Sequence, residues 1–173
     1  LLLRRMKTSD AKDMFEYSRM PEVTQYLLWQ PHTEISQTIE YLEYLQTRYR
    51  VGDFYDWGVV LKETGKFIGT CGFTALDFTN NSAEVGYVLS RDYWGHGFAP
   101  EALTRVLRFG FMDLNIHRVE ARYMTPNTAS LRVMEKCGMT FEGVRRSSLY
   151  VKGVYRDIGT CSILSEEYIR KFL

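Results

Sequence analysis

The pattern with the clearest chemical meaning is a glycine-rich turn between a predicted strand and a predicted helix. Gly95-His96-Gly97 follows an apolar stretch at residues 84–90, and a long amphipathic pattern begins at Phe98. Glycine lets the backbone approach a ligand closely, and the N–H groups at the start of a helix attract phosphate. The turn therefore indicates a phosphate-bearing ligand, although a tight strand–helix connection without a ligand would use the same residue types.

Two common nucleotide-binding motifs do not fit this sequence. Gly65-Lys66 is followed by Phe67 instead of Ser or Thr, and the earlier glycine of a P-loop is absent. A dinucleotide-binding fingerprint would need glycine at position 100, where the chain has Pro100. The phosphate-bearing ligand need not be a mononucleotide.

A second group of polar residues opens a later helix. Asn127 and Ser130 stand at its predicted start, and Gly138 ends it. Each of these two polar residues, taken singly, is typical of a helix N-cap or first turn. The three histidines, His32, His96 and His117, lack metal-ligand spacing, so we expect no metal site and take His96 as a turn residue near phosphate.

Composition limits the class of protein. The 173 residues carry 22 Lys and Arg against 21 Asp and Glu, so the net charge is +1 and gives no sign of a nucleic-acid binder. Three widely spaced cysteines (Cys71, Cys137 and Cys161) suggest free thiols in a reducing compartment, most simply the cytoplasm. The opening leucines stop at Arg4, so we expect neither a signal sequence nor a membrane span. Cys137 is expected to be a small buried apolar residue and not a nucleophile.

The periodicity of apolar residues predicts an α/β domain with a mixed sheet, and residues 1–173 as one domain. Two hairpin turns are predicted, at Glu63-Thr64-Gly65 and at Lys152-Gly153. The predicted strands are residues 1–6, 57–62, 66–73, 83–90, 117–124, 140–151 and 154–164. The predicted helices are residues 9–29 with an interruption at Pro21, residues 33–49, a helix from Phe98 to about Phe111, and residues 129–137.

Taken together, three motifs resemble the GNAT superfamily of acyl-CoA-dependent N-acetyltransferases. They are residues 83–87 (Ala-Glu-Val-Gly-Tyr), residues 93–103 around the glycine turn, and residues 127–143. The resemblance covers nearly the whole chain in element order, and it is strongest to the ribosomal-protein N-terminal acetyltransferase branch (the RimJ/RimL type). It implies a mostly antiparallel mixed sheet flanked by helices, in which the strand at residues 83–90 splays from the strand after His117.

The resemblance also implies where acetyl-CoA, the cosubstrate, would bind. The glycine turn and the first helical N–H groups would hold the coenzyme A pyrophosphate, and backbone groups of the splayed strand would contact the pantetheine. Asn127 and Ser130 match the family's helix-opening motif beside the pantetheine and thioester. Asp92 departs from the family pattern, which has Gln or Arg there. The implied cofactor-binding residues are Val88, Leu89, Gly95, His96, Gly97, Phe98, Ala99, Asn127 and Ser130.

Two proton-handling residues follow from the same resemblance. Glu84 would be the general base, acting through water, with a raised pKa if the carboxylate is buried; the alternative is a solvated or salt-bridged strand residue. Ser130 would donate a proton toward the thiolate, with helix capping as its alternative use. Some members of the branch place a glutamate where this chain has Leu149, so that subgroup's mechanism transfers less well.

The expected activity is direct transfer of an acetyl group to a primary amine in a ternary complex. An α-amine has a reference pKa near 8 and lysine near 10.4, so lysine costs about 3.3 kcal/mol more to deprotonate. One candidate acceptor is therefore the N-terminal α-amine of a ribosomal protein. The alternatives are a small-molecule amine such as an antibiotic, polyamine or amino acid, and a non-catalytic acyl-CoA-binding domain. Trp29, Trp57, Tyr87 and Tyr150 could line an acceptor groove or belong to the core, and we expect a monomer or homodimer.

Overall fold

The computed structural model describes residues 1–52 and 54–173 and contains seven strands and six α-helices in these residues. The strands are β1 (Leu2–Arg4), β2 (Asp56–Val60), β3 (Phe67–Asp77), β4 (Ser82–Leu89), β5 (Arg118–Met124), β6 (Thr140–Val151) and β7 (Val154–Leu164). The helices are α1 (Ala11–Ser18), α2 (Pro21–Thr24), α3 (Ile35–Val51), α4 (Phe98–Met112), α5 (Thr128–Lys136) and α6 (Ser165–Phe172).

The strands follow the order β1-β2-β3-β4-β5-β7-β6 in a mixed sheet. Only β4 and β5 pair in parallel among the pairings that the described residues record; β1 with β2, β2 with β3, β5 with β7 and β6 with β7 are antiparallel. The chain forms two compact units, residues 1–72 with 87–102 and residues 73–86 with 103–173. Strands β3 and β4 each contribute residues to both units, and the predicted α/β class with a mixed, mostly antiparallel sheet is confirmed.

The first unit has a core built by α1, α3 and the strands β2 and β3. Met14 and Tyr17 on α1 and Leu42 and Leu45 on α3 recur at helical spacing and are buried together with Phe67. The Tyr49 hydroxyl accepts a hydrogen bond from the Met6 N–H and donates one to the Asp56 carbonyl. These bonds attach α3 both to the segment after β1 and to the start of β2.

The second unit packs α4, α5 and α6 on strands that bury alternate residues. Val119, Ala121 and Tyr123 of β5 are buried, whereas the residues between them are exposed or half-buried. On α4, Leu107 and Phe111 are buried, and the Phe111 ring packs on Tyr168 of α6 at 5.0 Å between centroids. The polar residues of β5 therefore share one face of the sheet, opposite the helices' apolar core.

Most predicted elements are found within a few residues of their expected ends, but the helical segment expected to reach about Trp29 ends at Thr24. Pro21 does not merely interrupt a helix; it occupies the first position of α2, where its missing N–H is not needed. Helix α6 was not predicted at all. No helix of the described residues is long and apolar enough to cross a membrane.

Candidate active site

The glycine turn has the geometry of an exposed helix N-terminus. Gly95 and Gly97 have φ of 78° and 81°, a left-handed conformation that favours glycine. A β-carbon added to either residue would have no atom within 4 Å, so the turn faces open space. The first intrahelical bond runs from the Glu101 N–H to the Gly97 carbonyl at 3.2 Å, and helix geometry provides no intrahelical partner for the N–H groups of Phe98 and Ala99.

Side chains of the turn hold its shape from within. The Trp94 indole donates from Nε1 to the Leu89 carbonyl at 2.8 Å, which connects the turn to the end of β4. His96 Nδ1 lies 2.8 Å from the Trp94 carbonyl oxygen, and its ring stacks on Phe98 with centroids 5.9 Å apart. The structure therefore gives His96 a local role in the turn.

At Val88 and Leu89, the two residues predicted to contact pantetheine, the backbone groups of β4 point in opposite directions. The Val88 carbonyl oxygen lies where a β-carbon of Gly69 on β3 would stand, so it faces β3. Backbone groups alternate in direction along a strand, so those of Leu89 face away from β3, and its carbonyl accepts from Trp94. The Leu89 N–H is thus the better oriented group for a ligand beside β4, and the Val88 carbonyl points the other way.

The parallel pairing of β4 and β5 is short. It runs from Ser82 opposite Arg118 to Val85 opposite Ala121, although β4 continues to Leu89 and β5 continues to Met124. Short pairing between these two strands is what the resemblance predicted for a splayed pair.

Glu84 is held in an ion pair. Its Oε2 lies 2.6 Å from Nη2 of Arg122, and its side chain is 20% exposed. Glu84 is opposite Glu120 in the register, and Arg122 is two residues further on, so the pair depends on β4 lying parallel to β5. The structure shows the salt-bridged state that was the alternative for this residue; its role as a base stays a prediction.

A larger polar network shares this face of the second unit. Arg118 contacts Glu120 and Glu142, and Ser162 donates to Glu142 at 2.7 Å. Hydrogen bonds from Arg118 and Ser162 lower the pKa of Glu142 to about 2, so this carboxylate stays charged. We take the network as a structural connection among β5, β6 and β7.

Asn127 caps helix α5. Its Oδ1 accepts a hydrogen bond from the Ser130 N–H at 3.2 Å, which is the capping use considered for this motif. Ser130 itself is half-buried. At the other end of the helix, Cys137 is buried, burial raises the pKa of its thiol, and its Sγ lies 3.7 Å from Thr104 Oγ1. The expectation of a buried and unreactive Cys137 fits these contacts.

Asp56 is a residue with unusual chemistry that the sequence analysis missed. It begins β2 opposite Gly72, and its Oδ1 lies 2.6 Å from the place where a β-carbon of Gly72 would stand. Burial raises the pKa of this carboxyl to about 7, and a backbone hydrogen bond from Trp57 counteracts the rise in part. A single aspartate at the start of a strand carries no signal of such burial, because the burial arises from tertiary packing.

The charge of this carboxyl affects three tyrosines. Tyr17 of α1 and Tyr41 and Tyr49 of α3 all have raised pKa values, first because of burial and also because of the negative charge of Asp56. For Tyr49 the pKa rises to about 12. We call the Asp56 carboxyl together with these three tyrosines the Asp56 site.

The other predicted residues are distributed as follows. Trp29 and Tyr150 are exposed, and Trp57 and Tyr87 are half-buried, so none of the four aromatic candidates is fully buried core. Leu149 is half-buried on β6. In the described part of the chain, no group of three or more His, Cys, Asp or Glu residues could hold a metal ion.

The sequence matches the family model described as acetyltransferase (GNAT) domain over residues 1–140. The chain belongs to the GNAT acetyltransferase family. It is 36% identical over 168 residues to the uncharacterized N-acetyltransferase p20 of Bacillus licheniformis, covering 97% of this chain and 94% of that protein. It is also 23% identical over 172 residues to a spermidine N(1)-acetyltransferase of Vibrio cholerae, covering 99% of this chain and 96% of that protein.

Two solved structures show the same GNAT fold. An acetyltransferase of the GNAT family from Bacillus anthracis has a TM-score of 0.84 at 27% identity and covers 95% of each chain. The ribosomal-protein-S5-alanine acetyltransferase from Vibrio fischeri has a TM-score of 0.78 at 25% identity, covering 96% of this chain and 93% of that one. The chain is therefore an acetyl-CoA-dependent N-acetyltransferase of the GNAT type.

Proposed function

We propose that the glycine turn binds the diphosphate of acetyl-CoA, which supplies the acetyl group as an activated thioester. The observation that carries this proposal is the open space above Gly95 and Gly97 next to the first N–H groups of α4. Phe98 and Ala99 would donate these N–H groups, and the helix dipole would favour the negative charge. The Leu89 N–H would contact the pantetheine, and Asn127 would lie beside it while capping α5.

Glu84 and Ser130 would handle the protons of the reaction. The amine nitrogen forms a bond to the acetyl carbon, the carbon–sulfur bond breaks, and the amine loses one proton while the departing thiolate gains one. Glu84 would receive the amine proton through water, and the Ser130 hydroxyl would supply the proton to sulfur. The Arg122 ion pair would orient the Glu84 carboxylate.

The acceptor would be a primary amine, and two classes have support. The resemblance of sequence motifs and the similarity to the ribosomal-protein-S5-alanine acetyltransferase favour an N-terminal α-amine. The similarity to the spermidine N(1)-acetyltransferase favours a cationic small amine. The protein would work in the cytoplasm, where its buried cysteine thiols (Cys71, Cys137 and Cys161) would stay reduced.

The decisive experiment combines coenzyme binding with an acceptor screen. Calorimetry should show acetyl-CoA binding, and thiol release should appear with at least one primary amine from a panel of peptides with free N-termini, polyamines and aminoglycosides. Glu84→Gln should lower kcat at least tenfold and leave acetyl-CoA affinity within twofold. Binding without turnover on any amine would show a non-catalytic acyl-CoA-binding domain, and an absence of acetyl-CoA binding would contradict the proposed site.

A further inference from the structure

Arg156 on β7 is an arginine without an acidic partner. The residue is half-buried, and its Nε atom is buried without a hydrogen-bond partner among the residues that the structure describes. No Asp or Glu of these residues forms an ion pair with its guanidinium. Buried polar atoms in proteins nearly always have a partner, because the loss of hydration is costly. The guanidinium is therefore a candidate contact for an anionic ligand.

Arg145 lies beside Arg156 on the same face of the β6–β7 hairpin. It is opposite Ile158 in the register, and Arg156 is two residues before Ile158 on β7. Directly opposite residues of an antiparallel pair share a face, as do residues two apart on one strand, so the two arginines are diagonal neighbours. Arg145 is exposed, and no acid of the described residues forms an ion pair with it. A ligand can therefore reach these two arginines from solvent.

The two acids of the hairpin have other partners. Glu142 binds Arg118, at 2.6 Å between Oε2 and Nη2. Asp157 accepts a hydrogen bond from the Ser147 N–H at 2.7 Å, and because side chains alternate along β7 it faces the side of the sheet opposite to Arg156. Neither acid balances the charge of the arginine pair.

The charge of this polar face changes along the second unit. Near β4 and β5 the carboxylates outnumber the guanidiniums, with Glu84, Glu120 and Glu142 against Arg118 and Arg122. Toward the hairpin turn, residues 143–156 contain four Lys or Arg and no Asp or Glu. Lys152 in that turn has a pKa lowered by burial and by the positive charge of Arg156. An acceptor with a cationic amine at one end and a carboxylate further along matches this distribution of charge.

The register sets how far the carboxylate must lie from the reacting amine. Glu84 is opposite Glu120, Glu120 is opposite Ser162, and Arg156 is six residues from Ser162 along β7. Two strand spacings and six residues of strand rise separate the backbones of Glu84 and Arg156 by roughly 20 Å. An extended peptide of about six residues has this length. A free amino acid is too short to reach from one to the other.

We propose that Arg145 and Arg156 form a specificity-determining subsite that binds a carboxylate of a peptide acceptor, about six residues after its reacting N-terminal amine. This inference rests on the proposed acetyl transfer and narrows its acceptor to polypeptides with an acidic residue near the N-terminus. A carboxylate between the two guanidiniums accepts charge-assisted hydrogen bonds from both and removes their mutual repulsion.

A series of ten-residue peptides with free N-termini tests the subsite. Each peptide consists of Ala, Gly and Ser with one Glu-Glu pair, placed near the second, the sixth or the ninth residue. A Gln-Gln peptide of each design is the neutral reference. For the parent protein, KM should be lowest with the acids near the sixth residue, about tenfold below the Gln-Gln reference. The kcat values should agree within twofold.

Substitution of the arginines should remove this preference. Arg156→Gln should raise KM for the best acidic peptide about tenfold, with KM for its Gln-Gln reference and for acetyl-CoA within twofold. Arg145→Gln should raise the same KM about threefold. Its exposed position keeps the proposal testable if Arg156→Gln does not fold. Arg170→Gln removes an exposed charge from α6 of the same unit and should resemble the parent protein.

Ionic strength gives a second readout. Salt screens the attraction between a guanidinium and a carboxylate, so the KM advantage of the acidic peptide should shrink severalfold from about 50 mM to about 500 mM NaCl. The double variant Arg145→Gln/Arg156→Gln should show no such change.

The proposal is overturned if KM does not depend on the position of the Glu-Glu pair, or if the arginine variants change KM equally for acidic and neutral peptides. A preference for free glutamate over its amide that is lost in Arg156→Gln would assign the subsite to a small acidic amine, and it would also overturn the assignment to a peptide.

Fluorescence anisotropy with N-terminally blocked peptides separates this failure from failure of the proposed reaction. If no amine is acetylated but the blocked acidic peptide binds about tenfold more weakly to Arg156→Gln, the subsite stands and the proposed function fails. Equal affinity of the parent protein for the blocked acidic and Gln-Gln peptides contradicts the subsite whatever the activity.

Discussion

Replacing Asp56 by asparagine should make the protein more stable at neutral and alkaline pH. The carboxyl pKa is raised by burial to about 7 from the ordinary value of 3.8. The unfolded chain therefore loses the proton at lower pH than the folded protein does. Stability that is fully present below pH 3.8 is lost as the pH rises through about 7. Asparagine has nearly the same shape and no charge, so the variant escapes this loss.

The magnitude follows from the difference between the two pKa values. About three units at 1.36 kcal/mol each give a loss of about 4 kcal/mol in the free energy of unfolding across the whole window. Between pH 5 and pH 8 the parent protein should lose roughly 2–3 kcal/mol that Asp56→Asn retains. The steepest part of the difference lies between about pH 4 and pH 7, with a slope of about 1.4 kcal/mol per pH unit.

Urea unfolding at several pH values between 5 and 8 measures this difference directly. The midpoint for Asp56→Asn should move above that of the parent protein as the pH rises, with little change in the slope of the transition. Glu43→Gln controls for the loss of one negative charge from the same unit and should follow the parent curve. If the curves of Asp56→Asn and the parent protein run parallel from pH 5 to pH 8, the Asp56 carboxyl is not desolvated as described.

Three further substitutions test the glycine turn and the cap of α5. Gly97→Val should weaken coenzyme A binding at least tenfold in calorimetry. The control Gly65→Val is equally strained, at a φ of 72° with open space around it, and should leave binding unchanged. Equal effects of the two substitutions would mean that only stability changed. Trp94→Phe should cost about 1 kcal/mol of stability and weaken coenzyme A binding severalfold, because the Leu89 carbonyl loses its donor; unchanged affinity would show that the turn does not need this bond. Asn127→Ala should lower the free energy of unfolding by about 0.5–2 kcal/mol, and Asn127→Asp should retain most of it in urea unfolding; equal losses would contradict the cap.

Local patterns in the sequence predict the elements that form local contacts. The β6–β7 hairpin has its predicted limits, and Lys152 and Gly153 at its turn have φ of 52° and 79°, as a tight hairpin requires. Helix α6 also has local signals that were overlooked. Glu166 and Glu167 stand in its first turn and Arg170 and Lys171 in its last, and Glu167 accepts a hydrogen bond from the Leu164 N–H at 2.9 Å.

The features that depend on distant parts of the chain were not predictable in this way. The pairing of Glu84 with Arg122 requires the parallel register of β4 and β5, which are connected through α4. The motif at residues 93–103 predicts the glycine turn at Gly95 and Gly97. It does not reveal that the Trp94 indole donates a hydrogen bond to the Leu89 carbonyl. These contacts arise from packing, and a single sequence holds no periodicity that encodes them.

The contrast between Glu84 and Asp56 shows why ion pairing decides what an acid can do. Glu84 has a guanidinium at 2.6 Å, so its charge is already balanced and it attracts a further cation weakly. If Glu84 is the base that we propose, this ion pair keeps it from binding the ammonium form of the acceptor tightly. Asp56 has no such partner among the described residues, and burial raises the pKa of its carboxyl to about 7, so protonation relieves its desolvation.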